Sequence, residues 1–86
     1  MAKTEKPPSL FAEDPAILEQ HLAEAEQGVA VAQRNLIEQR ARVAEVEREG
    51  HDSEQSRNLL ANIENSYALA VAERDRLRHE LAAARP

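Results

Sequence analysis

The sequence has no cysteine and no tryptophan, only one phenylalanine, one tyrosine and two glycines, and no apolar run of the roughly 20 residues that a bilayer span requires. Each absence closes off a class of protein. Without cysteine there is neither a disulfide framework nor a thiolate metal site. With so few aromatic side chains, a conventional globular core has little to be built from. The N-terminus carries no apolar targeting segment, so the expected location is the cytoplasm, away from membranes. Proline is confined to Pro7, Pro8, Pro15 and Pro86, which leaves the long interval between the last two free of that helix breaker. The formal net charge is −5. Residues 14–49 hold eight acids against four arginines and residues 50–86 six against five, so the first half is the more acidic. That balance works against a phosphate-neutralising surface and against adsorption to anionic lipid.

What remains is rich in Ala, Leu, Glu, Gln and Arg, the composition of a long-helix protein. Residues 1–13, with Lys3, Lys6 and the pair Pro7-Pro8, read as a flexible arm. Within the arm, Leu10 and Phe11 would make either a local contact near Leu18 or Leu81 or a short docking motif. Asp14-Pro15 opens a helix: the carboxylate accepts at the N-cap, and proline fits the first helical position, where its missing N–H costs nothing. From Pro15 to Glu49 the sole interruption is Gly28, and a helix over 15–49 would be about 52 Å long. A turn is expected at Glu49-Gly50-His51-Asp52. Gly50 can take the left-handed conformation that closes a helix, and Asp52 with Gln55 has the spacing of a capping box. A second helix over 53–84 follows this turn at 50–52, and residues 14–86 therefore form one unit. A connection this short folds the helices side by side, as an all-α antiparallel hairpin.

Apolar residues recur at alternating intervals of three and four. Leu18, Leu22, Ala25, Val29, Ala32, Leu36, Val43 and Val46 form the first seam, with Gln39 in its polar slot. Leu60, Ile63, Tyr67, Ala70, Leu77, Leu81 and Ala84 form the second, with Arg74 in the polar slot. Sustained over four heptads, this is a coiled-coil pattern. The flanking rows match across the turn, pairing Glu47 with Arg57, Arg40 with Glu64, Gln33 with Val71, Glu26 with Arg78, and Glu19 with Arg85. All the charged pairs are of opposite sign, which favours the antiparallel arrangement. The core layers themselves fit two neighbouring registers. A second stripe, Ala23, Ala30, Val31, Ile37 and Ala44 with Leu59, Ala61, Ala68, Leu69 and Ala72, lies off the seam and is expected to be covered by dimerisation into a four-helix bundle.

Few residues suggest chemistry. His21 and His79 fall near the open end with Glu24, Asp75 and Glu80, but their spacing matches no metal signature, and neither a metal nor a cofactor is expected. His51 sits in the turn. Ser53, Ser56, Ser66 and Tyr67 have no His and carboxylate set to activate them, and a two-helix hairpin offers no deep pocket, which argues against an enzyme. Arg74, Arg76, Arg78 and Arg85 could contact RNA in a small regulator of the four-helix-bundle type, yet neighbouring and facing acids dilute them. A structural or protein-interaction module, paired with itself and with an unidentified protein partner, is the leading expectation, ahead of nucleic-acid binding.

The segments His21-Leu22-Ala23-Glu24-Ala25-Glu26, Arg42 to Ser53 with its Gly50-His51-Asp52 turn, Leu59-Leu60 and Asp75-Arg76-Leu77 resemble a group of short, predicted-helical bacterial proteins of uncharacterised function. The resemblance spans residues 18–81, and its mark is the Gly-His-Asp turn. It implies the hairpin, and it implies no activity, cofactor, partner or site residue.

Overall fold

A computed structural model describes residues 14–85. The expected arm over 1–13, with Leu10 and Phe11, lies outside the described residues. Two helices make up the regular structure: α1, Pro15–Arg48, and α2, Glu54–Ala84. They pack against each other as an antiparallel pair.

Local chemistry sets both ends of α1. Asp14 takes an extended conformation as N-cap, and its Oδ1 accepts a hydrogen bond from the N–H of Ala16 at 2.8 Å, while Pro15 occupies the first helical position. At the other end Gly50 adopts φ 78°, and two backbone bonds close the helix behind it. The N–H of Gly50 donates to the carbonyl of Glu47, and that of His51 to the carbonyl of Val46, each at 3.1 Å. This paired pattern is a Schellman closure, which satisfies carbonyls that the helix end would otherwise leave unpaired. α1 thus ends at Arg48, one residue short of expectation, with Glu49 as C-cap.

The start of α2 departs from the expected capping box. Ser53 holds the N-cap position, and its hydroxyl turns away from the helix to donate to Glu47 Oε2 at 3.2 Å. Asp52 accepts instead from the N–H of Glu54, two residues on, at 3.0 Å. An aspartate one residue before the cap reaches the nearest free N–H, so the Asp52–Gln55 exchange gives way to this shorter turn.

The seam lies where the heptads place it. Leu18, Val29, Leu36, Gln39 and Val43 are buried on α1, and Leu77 and Leu81 on α2. Leu18, at 2 % exposure, is the deepest. With Leu77 and Leu81 it forms the core cluster, against which Leu22 and Ala25 pack. The seam is thickest at the open end and more polar towards the turn, where Ser53 and Ser56 occupy its inner positions. Ala84, expected within it, is exposed. Gln39, only 6 % exposed, donates from Nε2 to the carbonyl of Ser56 at 3.0 Å. A backbone carbonyl near the layer of the amide thus satisfies this buried polar group.

Four ion pairs join the helices: Glu47 with Arg57, Arg40 with Glu64 at 3.9 Å, Glu26 with Arg78 at 3.2 Å, and Glu19 with Arg85. Successive pairs run back along α1 and forward along α2 by equal steps of seven, fourteen and seven residues. These are the charged pairs read from the flanking rows, and the packing of Leu18 with Leu77 and Leu81 decides between the two registers that the core layers allowed. All are half-exposed, so each contributes about 0–1 kcal/mol, and their effect is on alignment more than on stability.

Candidate interaction surface

A two-helix coiled coil has two broad faces, one on each side of its seam. The four inter-helix ion pairs all lie on one of them. Beside these pairs runs a row of small exposed side chains, Ala23, Ala30 and Ala44, broken by Ile37.

The opposite face has a different character. Five large apolar side chains are exposed among the described residues, namely Ile17, Val31, Ile37, Leu59 and Leu69. Helical periodicity puts four of them, all but Ile37, on this second face or its margin. Val31 is 41 % and Leu69 64 % exposed, and the register sets them at the same height on α1 and α2. Gly28, Asn35 and Ser66 lie between them, small and uncharged, and all three are exposed. A Cβ built on Gly28 would meet nothing within 4 Å, so close approach of α2 is not the reason for a glycine there. The middle of this face is therefore a shallow, neutral strip with an apolar side chain on either flank. All ten members of the second stripe, from Ala23 to Ala72, are exposed in the hairpin.

The groups considered for chemistry are drawn into ion pairs or dispersed. Arg74 bridges to Asp75 at 3.0 Å. Arg76 forms a two-pronged bond to Glu73, Nε to Oε1 at 3.1 Å and Nη2 to Oε2 at 2.8 Å, and also pairs with Glu80. The two Arg76 contacts follow the i,i+3 and i,i+4 spacing that brings helix side chains together. The fork from Arg76 holds the Glu73 carboxyl below its ordinary value of 4.5; slight desolvation opposes the shift, and the charges of Arg76 and His21 assist it. Arg76 is shifted upwards in return, chiefly by the same bond. His21 is half-buried and His79 exposed. Among the described residues no group of three or more His, Asp or Glu side chains is placed to hold a metal ion. His51 lies 3.8 Å from Glu49 in the turn. Ser53 and Ser56 are taken up by the turn and the seam, Ser66 is exposed, and Tyr67 is half-buried along the seam. Arg78 and Arg85 hold Glu26 and Glu19 across the hairpin.

Periodicity marks the second stripe and, once the ion-paired flank is placed, divides it between the two faces; the register adds which residues of α1 and α2 share a height. No helix among the described residues is long and apolar enough to cross a membrane. No protein-family model, curated protein or solved structure matches the chain.

Proposed function

We propose that this chain is a structural and protein-interaction module: a helical hairpin that associates with a second copy of itself and presents a helical surface to a protein partner, in the cytoplasm. The observation that carries this reading is the set of exposed large apolar side chains, centred on Val31 and Leu69, on a hairpin whose own seam is already closed. Apolar surface left in water costs about 25 cal/mol per Å², which a molecule covering both flanks of this face recovers. The core supports the same reading, because it is a single line of side chains, deepest only around Leu18, Leu77 and Leu81. A chain of this size gains from further burial.

Nucleic-acid binding, as a small regulator of the four-helix-bundle type, is the weaker reading. Arg76, Arg78 and Arg85 each hold a carboxylate, and phosphate would have to displace those acids on a chain of net charge −5. Sedimentation equilibrium over a range of concentrations tests the proposal. The expected mass is twice 9.6 kDa, with a melting temperature that rises with concentration. A cooperatively melting species of one chain at micromolar concentration would overturn it. Retention on RNA with a steep salt dependence would favour the regulator.

A further inference from the structure

We infer that a second copy of this chain docks on the Val31–Leu69 face with its turn at the same end, related by a two-fold axis that runs along the hairpin. This rests on the self-association proposed above and names the surface and the arrangement. A rotation about the long axis keeps every residue at its height and exchanges α1 with α2, so each residue of α1 meets the residue of the second copy's α2 that shares its level. Val31 then meets Leu69, and Glu24, one heptad away, meets Arg76. One heptad in the other direction, Glu38 meets Asn62. Apolar faces apolar and acid faces amide, while Glu24 joins Glu73 and Glu80 around the Arg76 guanidinium, and no like charges stand directly opposed along the row.

The competing arrangement, with turns at opposite ends, lays α1 on α1 of the second copy. About a dyad at Val31 it sets Glu24 against Glu38 twice. Opposed like charges of this kind select between alternative packings. Every helix has antiparallel neighbours in both arrangements, so the charge row is what separates them.

The area required points to the same lengthwise contact. A helix of 34 residues is about 51 Å long and a helix pair about 20 Å across, so one broad face offers roughly 1,000 Å². A stable interface takes about 800 Å² from each partner, which only overlap along most of the hairpin supplies. The opposite face would have to bring four inter-helix ion pairs out of water on association, whereas the Val31–Leu69 face carries the pairs of one guanidinium, Arg76 with Glu73 and Glu80, so the desolvation penalty there is smaller.

The chain has no cysteine, so single thiols can be introduced without background. Chains carrying V31C and chains carrying L69C are unfolded together, refolded and treated with a short bis-maleimide. The expected product is the V31C–L69C cross-link, several-fold over either product that joins like chains. Predominance of V31C–V31C would overturn the arrangement in favour of opposed turns. Absence of every cross-link, with a two-chain mass retained, would show that another face is used and would overturn this inference while leaving self-association standing. A one-chain mass with cooperative melting would remove both.

Discussion

Replacing Gly50 by the two mirror-image alanines isolates what the turn contributes. Gly50 holds φ 78°, and a Cβ added there meets nothing within 4 Å, so an L side chain at this position suffers no clash and its penalty is purely conformational. The left-handed region costs an L-residue about 1–2 kcal/mol, while replacing glycine restricts the unfolded chain and returns about 0.4–1 kcal/mol. Gly50→Ala should therefore destabilise each chain by about 0.5–1.5 kcal/mol. A D-alanine, for which positive φ is the favoured side, should instead stabilise it by up to about 1 kcal/mol. Gly50→Val should be worse than Gly50→Ala, because a β-branched residue tolerates positive φ least. Chemical synthesis of the chain gives all three, and thermal unfolding followed by far-UV circular dichroism at one fixed protein concentration gives the melting temperatures. For a domain of this size 1 kcal/mol corresponds to about 4–8 °C, so the two enantiomers should separate by at least several degrees in melting temperature. Equal stability of the L- and D-alanine forms would refute the left-handed closure.

Reversing Glu19 and Glu26 to arginine should cost a few tenths of a kcal/mol each, and reversing Arg85 and Arg78 as well should recover it; a failed recovery in the double-mutant cycle would show that these residues are not partners. Gln39→Leu should raise the urea midpoint, since it replaces a buried amide with apolar volume while the Ser56 carbonyl keeps its place in the helix; a fall would show that the Gln39–Ser56 bond outweighs the burial gained. The Glu73 carboxyl, followed by carbon-13 NMR, should titrate below 4.5 and move up in Arg76→Gln. Because its pKa is lowered on folding, its contribution to stability is present above the unfolded value and is lost as pH falls through the folded one, and Glu73→Gln should flatten that acid limb.

The fold was legible in the sequence to the extent that it depends on repeated signals. One glycine between two uninterrupted helical runs located the turn, and nine heptad positions located the first seam. The flanking rows reached further, because four independent charge pairs agree on one alignment, and those pairs form. Single-residue choices were less legible. Asp52 and Ser53 are both good N-cap residues, and which one caps α2 depends on Glu47 being within reach of the serine hydroxyl. Likewise Gln39 announced a polar slot but not its partner, because a backbone carbonyl leaves no mark in a sequence. The candidate surface was half visible: its apolar members stood out and the heptads place them away from the ion-paired flank, yet how exposed each one is and which of them share a height come only from the packed pair.

The placement of the deepest apolar cluster at the open end has a mechanical consequence. Leu18, Leu77 and Leu81 lie beside the two helix ends and as far as the hairpin allows from Gly50. A load drawn across those ends peels the helices apart one layer at a time, and it meets the strongest layer first. The hairpin is a zipper with its clasp at the open end: force must rise until the leucines part, after which the Gln39 and Ser56 layers near the turn resist little. In folding the same cluster closes a loop of some sixty residues, so it forms late, whereas the Schellman turn needs only its own neighbours and can form first.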